Sequence, residues 1–382
     1  MQTALTAERL WDGTRFLDRP LLLIEDGKIA AISSREGGAL PADAQHVDFP
    51  GGTLAPAFFD VHIHGAAGHD VMEATPEALA AMGGFLATRG TARFLATTVT
   101  ASVDATLRAL EDLADRIEAP RQGGCAQPVG IHLEGPFLSH AKRGVHPPDK
   151  LLEPSIPLFD RFIAAARGHV KLMTLAPELP GAVELAAHAT ARGVRISLGH
   201  SNATAAESRA AIAAGAVSAT HTFNAMRPLD HREPGILGVV LTDDSLYSEI
   251  ICDGVHTAPA MVRLWWKAKG AERALLVTDA MSAAGMPEGE YQLGGFAVQV
   301  AHGKAMAEGV LAGSVLTLDR ALSNFLIFTG ARLEEGLRLL TQNPAAMTGM
   351  EAGALRVGQA ADLAAVDADG RLVGSIIGGV CA

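Results

Sequence analysis

Apolar and polar positions follow two different rhythms along this chain. At the start, "PLLLIEDGKIAAI" places two apolar runs around Glu25-Asp26-Gly27-Lys28. Asp-Gly between alternating runs is a strong hairpin signal, because both turn residues must take positive φ. The far end, "LRVGQAADLAAVDADGRLVGSIIGG", repeats that grammar of short apolar runs broken by Gly and Asp-Gly. The two ends read as strands of one small β layer. Between them the pattern becomes strand, helix, strand. Apolar runs fall at 58–63, 92–98, 128–134, 169–175, 194–200, 217–221, 247–252 and 273–279. Helical stretches separate most of them. "TPEALAAMGGFLATRG" opens with Thr75 as N-cap and Pro76 at the first helical position, and "SNATAAESRAAIAAG" runs from a polar cap to Gly215. Eight strands alternating with helices predict an α/β fold: a (β/α)8 TIM barrel with a small β-sandwich domain formed by both chain termini. The expected division is 1–54 with 353–382 for the small domain and 55–352 for the barrel. A hairpin is expected as an insertion over 291–313.

Composition narrows the setting. The chain has 382 residues, 48% hydrophobic and 19% charged, as in a globular protein with a full core. No apolar run reaches membrane-spanning length, and the opening residues lack a secretory pattern. Three scattered cysteines do not make a disulfide framework, which points to a reducing cytoplasm. Cys252 reads as a small buried hydrophobe. With 31 Lys and Arg against 42 Asp and Glu, the net charge is −11. Neither nucleic acid nor an anionic membrane is an expected partner.

In a barrel of this kind the chemistry sits where strands end at the C-terminal face. His62 and His64 end the first strand, and alternation puts both on one face. Glu134 ends the third, His200 the fifth, His221 the sixth and Asp279 the eighth, while Asp253 and His256 follow the seventh. One histidine at a strand end is an ordinary hydrogen-bonded residue, and a lone carboxylate there could cap the next helix. Metal-ligating types recurring around the whole ring point instead to a metal site.

The phrases "HLEGPF", "GHSNAT", "THTFNAM", "HREPG", "DGVH" and "VTDAM", in this order and over nearly the whole chain, resemble the amidohydrolase superfamily, and within it the deacetylases of N-acetylated amino sugar phosphates. The resemblance implies that Glu134, His200 and His221 bind the main metal, and that Asp279 is the catalytic acid and base beside it. It implies that His146 holds or polarises the acetamide carbonyl, and that Asn224, Ala225, His256 and Arg232 bind substrate. Arg232 would reach the site of a neighbouring subunit, so a homodimer is expected. Some members lack the first-strand histidine pair; His62 and His64 are both present here and favour a second metal. The implied reaction is removal of acetate from N-acetyl-D-glucosamine 6-phosphate, in amino sugar catabolism. The residues themselves support that chemistry. A divalent ion brings the pKa of water from 15.7 to ~7, and a nearby carboxylate can move the proton. Mixed His and carboxylate ligands suit Zn, Fe, Co or Mn, one or two per subunit. The alternatives are a deaminase or cyclic amidase of the same superfamily, and a non-catalytic sugar-phosphate binding protein.

Overall fold

The computed structural model describes residues 2–35 and 43–382; positions 36–42 of the expected first small-domain segment lie outside the described residues. Strands from both ends join in one eight-stranded sheet. Its stitch is the strand Gln45–Pro56, which runs parallel to Gln2–Trp11 and antiparallel to Leu363–Val366. The expected hairpin is present: Glu25 pairs with Lys28, and Asp26 and Gly27 take φ of 49° and 73°. The sheet has its own core of Leu5, Leu10, Leu22, Ile24, Leu363 and Ile376.

All eight barrel strands form in one parallel sheet: Phe58–Ile63, Thr91–Thr98, Gln127–Glu134, Val170–Leu175, Arg195–Leu198, Ala216–Ala219, Tyr247–Ile251 and Ala274–Val277. Helices between them bury their apolar faces against the sheet. The helix Pro76–Ala87 starts as its sequence predicts, with the Thr75 hydroxyl accepting from the Ala78 N–H at 3.2 Å. Ala205–Ala213 begins with a capping box of Thr204 and Glu207. The eighth strand returns to the first through a narrow seam. There the Asp279 N–H donates to the His62 carbonyl at 2.9 Å, and the His64 N–H donates to the Ala280 carbonyl at 2.8 Å. Ile63 and Ala280 form a parallel bridge at the same place.

Two expectations need correction. The inserted segment is not one hairpin but four antiparallel strands: Gly289–Leu293, Phe296–Ala301, Lys304–Ala307 and Val310–Leu311. Three tight turns make it so, at Gly294-Gly295, His302-Gly303 and Glu308-Gly309, with positive φ at all six residues. Second, His200, His221 and Asp279 are not the last residues of their strands. Each lies two positions beyond, because the backbone leaves the extended region there.

Candidate active site

The first strand supplies two ligands through simple alternation. His62 and His64 are both buried and face the barrel mouth, their Nε2 atoms 3.3 Å apart. Glu134 closes the third strand. His200, His221 and Asp279 follow their strands with φ of 47°, 28° and 48°, a left-handed backbone that L-residues with a side chain rarely adopt. Each such residue costs roughly 1–3 kcal/mol and persists only where the surroundings hold it. Here the Ser314 N–H donates to the Asp279 carbonyl at 2.7 Å, and the Ser139 N–H donates to the His200 carbonyl at 3.0 Å. The kink turns the three side chains inward over the mouth.

The six groups meet in two adjoining sets: His62, His64 and Asp279, and Glu134, His200 and His221. Glu134 touches both. Its Oε1 is 3.4, 3.3 and 3.2 Å from Nε2 of His62, His200 and His221, and its Oε2 is 3.0 Å from Nε2 of His64. The His200 and His221 Nε2 atoms are 3.1 Å apart. Asp279 Oδ1 lies 3.3 Å from His64 Nε2 and 3.5 Å from His62 Nε2.

This donor set fits divalent metal ions. The Nδ1 atoms of His64 and His200 face the carbonyls of Thr97, at 3.1 Å, and Lys142, at 2.8 Å. A carbonyl only accepts, so Nδ1 carries the hydrogen and Nε2 turns its lone pair toward the centre. Facing lone pairs repel unless a cation stands between them. Zinc–nitrogen bonds of ~2.0–2.1 Å in tetrahedral geometry separate ligand atoms by about 3.3 Å, close to the spacings found here. Burial works to raise the Asp279 carboxyl, but the facing imidazoles of His62 and His64 outweigh it and hold it well below the ordinary range. Burial works to lower His64, but the carboxylates of Asp279 and Glu134 outweigh it and lift that ring to about 9. An ion entering this set therefore displaces a proton.

Around the cluster lies a cavity of about 320 Å³. His146, Asn224, Ala225 and His256 line it with the metal-type ligands. Burial holds the His146 ring neutral, down to about 4. Its Nδ1 accepts from the Thr100 N–H at 3.4 Å and lies 2.8 Å from the Thr100 hydroxyl, so Nε2 carries the hydrogen, on the side of the Glu134 carboxylate, whose Oε2 is 3.6 Å away. His256 Nδ1 is 2.6 Å from the Asp253 carboxylate. Arg232 is not brought to this cavity. It is exposed in the loop after the sixth strand, where its N–H donates to Asp230 at 2.8 Å.

Residues 53–380 match the amidohydrolase family. The chain belongs to that family. Among relatives of this amidohydrolase, the N-acetylgalactosamine-6-phosphate deacetylase of Escherichia coli O157:H7 is 39% identical over 371 residues, covering 96% of each chain. The N-acetylglucosamine-6-phosphate deacetylase of Lysinibacillus sphaericus is 38% identical, covering 90% of this amidohydrolase and 88% of the relative. A variant of the N-acetyl-D-glucosamine-6-phosphate deacetylase of Mycobacterium smegmatis, solved with N-acetyl-D-glucosamine-6-phosphate, superposes with a TM-score of 0.92 at 35% identity, covering 100% of this chain and 99% of that one.

Sequence reasoning missed a layer of polar residues beneath the cluster. Asp60, His132 and Glu249 are fully buried inside the barrel. Burial lifts the Asp60 carboxyl to about 7, against the Thr278 hydroxyl that donates to it at 2.6 Å. His132 Nε2 lies 2.8 Å from the Thr174 hydroxyl. The signal was available: each is an ionisable residue inside an apolar strand, in "FFDVHI", "GIHLE" and "YSEII". Lys142, which also lines the cavity, carried no such signal.

Proposed function

We propose that this amidohydrolase is a metal-dependent deacetylase that hydrolyses N-acetyl-D-glucosamine 6-phosphate to acetate and D-glucosamine 6-phosphate. The observation that carries the reading is the convergence of four imidazole Nε2 atoms and two carboxylates at the mouth of the barrel, in a chain similar over nearly its full length to deacetylases of this class. Glu134, His200 and His221 would hold one ion, and His62, His64 and Asp279 a second. A divalent ion there supplies Lewis-acid activation of water and of the amide carbonyl. The identity of the ion is drawn from Zn, Fe, Co and Mn by the ligand chemistry.

The residues divide the work as follows. Asp279 is ionised at neutral pH and takes a proton from the attacking water. The water oxygen bonds to the carbonyl carbon while His146 donates from Nε2–H to the carbonyl oxygen. The C–N bond then breaks, and Asp279 returns its proton to the departing amine. Asn224, the Ala225 backbone and His256 position the sugar. Arg232 grips the phosphate bidentately, reaching it from the second subunit of a homodimer. Its exposed position outside its own cavity suits that arrangement.

We place the enzyme in the cytoplasm, where the free thiols of Cys125, Cys252 and Cys381 stay reduced. We also take 55–352 as the catalytic barrel and 1–54 with 353–382 as the small β domain; each has a core of its own, and Trp11, Ala364 and Val366 pack with barrel residues in a further cluster. No helix of the described residues is long and apolar enough to cross a membrane.

A second substrate reading has its own support. The Escherichia coli relative is named for the galactosamine sugar, which differs only in the configuration at C4. Acetate release from both sugar phosphates by the metal-loaded enzyme decides between them. Release from neither would overturn the proposed function and leave a deaminase, a cyclic amidase or a binding protein.

A further inference from the structure

Glu249 lies on the seventh barrel strand, Tyr247–Ile251, with its side chain fully buried beneath the metal-type ligands. A carboxylate in such surroundings is costly unless it meets a positive partner. Its Oε2 faces His62 Nδ1 at 3.2 Å and accepts from the His221 backbone N–H at 3.4 Å. Oε1 has no hydrogen-bond partner among the described residues. One oxygen thus touches a ligand from each set: the ring of His62 in one, and the left-handed backbone of His221 in the other. His64 and His200 have their tautomers fixed by backbone carbonyls; of the four histidines in the two sets, His62 is the one whose outer ring nitrogen faces a carboxylate.

We propose that Glu249 is the positioning residue for the second ion. It holds the hydrogen on His62 Nδ1, so that Nε2 offers its lone pair to the centre, and its charge makes that nitrogen a stronger donor. A glutamine would keep the shape and the accepting oxygen but not the charge. The inference rests on the metal centre of the proposed function, not on the identity of the substrate.

The test is titration of Co²⁺ into metal-free wild type and Glu249→Gln, read by calorimetry and by the visible absorption of the bound ion. Wild type is expected to take two ions. Glu249→Gln should keep the ion at Glu134, His200 and His221 and bind the other 10–100-fold more weakly, the loss found when such outer partners are removed. In a His62→Asn background, Glu249→Gln should change nothing further. Should Glu249→Gln not fold, as judged by near-UV circular dichroism, Glu249→Asp carries the same test. It keeps the charge but withdraws the oxygen by one methylene, and should weaken the same ion. Wild-type affinity and spectrum in either folded variant would overturn the proposal. So would a wild type that binds only one ion, or an effect that persists without His62. Acetate release is measured separately. Loss of the second ion in an enzyme whose wild type releases no acetate would sink the substrate reading and leave the role of Glu249 standing.

Discussion

Asp279 is buried, ionised and within 3.5 Å of two imidazoles, so in the proposed mechanism its charge would serve both ion and proton. The two roles separate on substitution. Asp279→Asn keeps an oxygen toward the ions and loses the proton acceptor. It should retain the Glu134-centred ion and lower turnover by about 10²–10⁴-fold. Acetate assays beside elemental analysis check this, and a loss below threefold would assign the proton to another group. His200→Asn should behave differently. Its Nε2 is 3.1 Å from His221 and 3.3 Å from Glu134, so the Glu134-centred ion and the activity should disappear together. A variant that loses that ion and keeps full turnover would refute its part in the hydrolysis.

Among the elements, the helix Gly235–Thr242 shows how a buried cation can serve as a cap. Lys269, from the helix Pro259–Arg273, donates to the carbonyls of Val240 at 2.9 Å and Asp243 at 2.7 Å, satisfying groups a helix end leaves open. Burial pushes its ammonium down to about 8 from 10.5. Between those values the unfolded chain holds a proton that the folded one has released, so stability should rise with pH across that window, by at most about 1.4 kcal/mol per unit. Urea unfolding at several pH values should show this slope in wild type and not in Lys269→Met; identical slopes would refute it. Elements like these were legible to different degrees. The eight barrel strands could be read because their apolar runs are separated by capped helices. The candidate metal-binding residues can be read because His and Glu are conspicuous at or just past strand ends. The left-handed turns at His200, His221 and Asp279 could not, since no glycine marks them and tertiary hydrogen bonds impose the conformation. The four-strand insertion reads as one hairpin over 291–313, although three glycine-containing turns divide it. A reading centred on strand ends passes over Glu249 because its charge lies mid-strand, and the proposed role of Arg232 would depend on contacts beyond a single chain.

The whole molecule carries a net charge of −11 and would act on a dianion, so local donors must overcome repulsion at long range. If Arg232 supplies them in trans, two inactive proteins should rescue one another. Mixing Asp279→Asn with Arg232→Ala subunits creates dimers in which one site unites an intact Asp279 with the partner's intact Arg232. A statistical mixture should recover about a quarter of the wild-type activity on the phosphorylated sugar. No recovery after proven subunit exchange would place Arg232 outside the partner's site. Finally, the barrel closes at the point where its chemistry gathers. The backbone hydrogen bonds from Asp279 to His62 and from His64 to Ala280 form the seam between first and last strands, and the side chains of Asp279, His62 and His64 are the set proposed to hold the second ion. An ion there would work as a clasp on the cylinder as well as a reagent. Chelation should therefore speed amide hydrogen–deuterium exchange at Asp279 and His64 well before it does so in the distant strand Gln2–Trp11. The enzyme would then lose its ring closure, locally and reversibly, each time it gives up that metal.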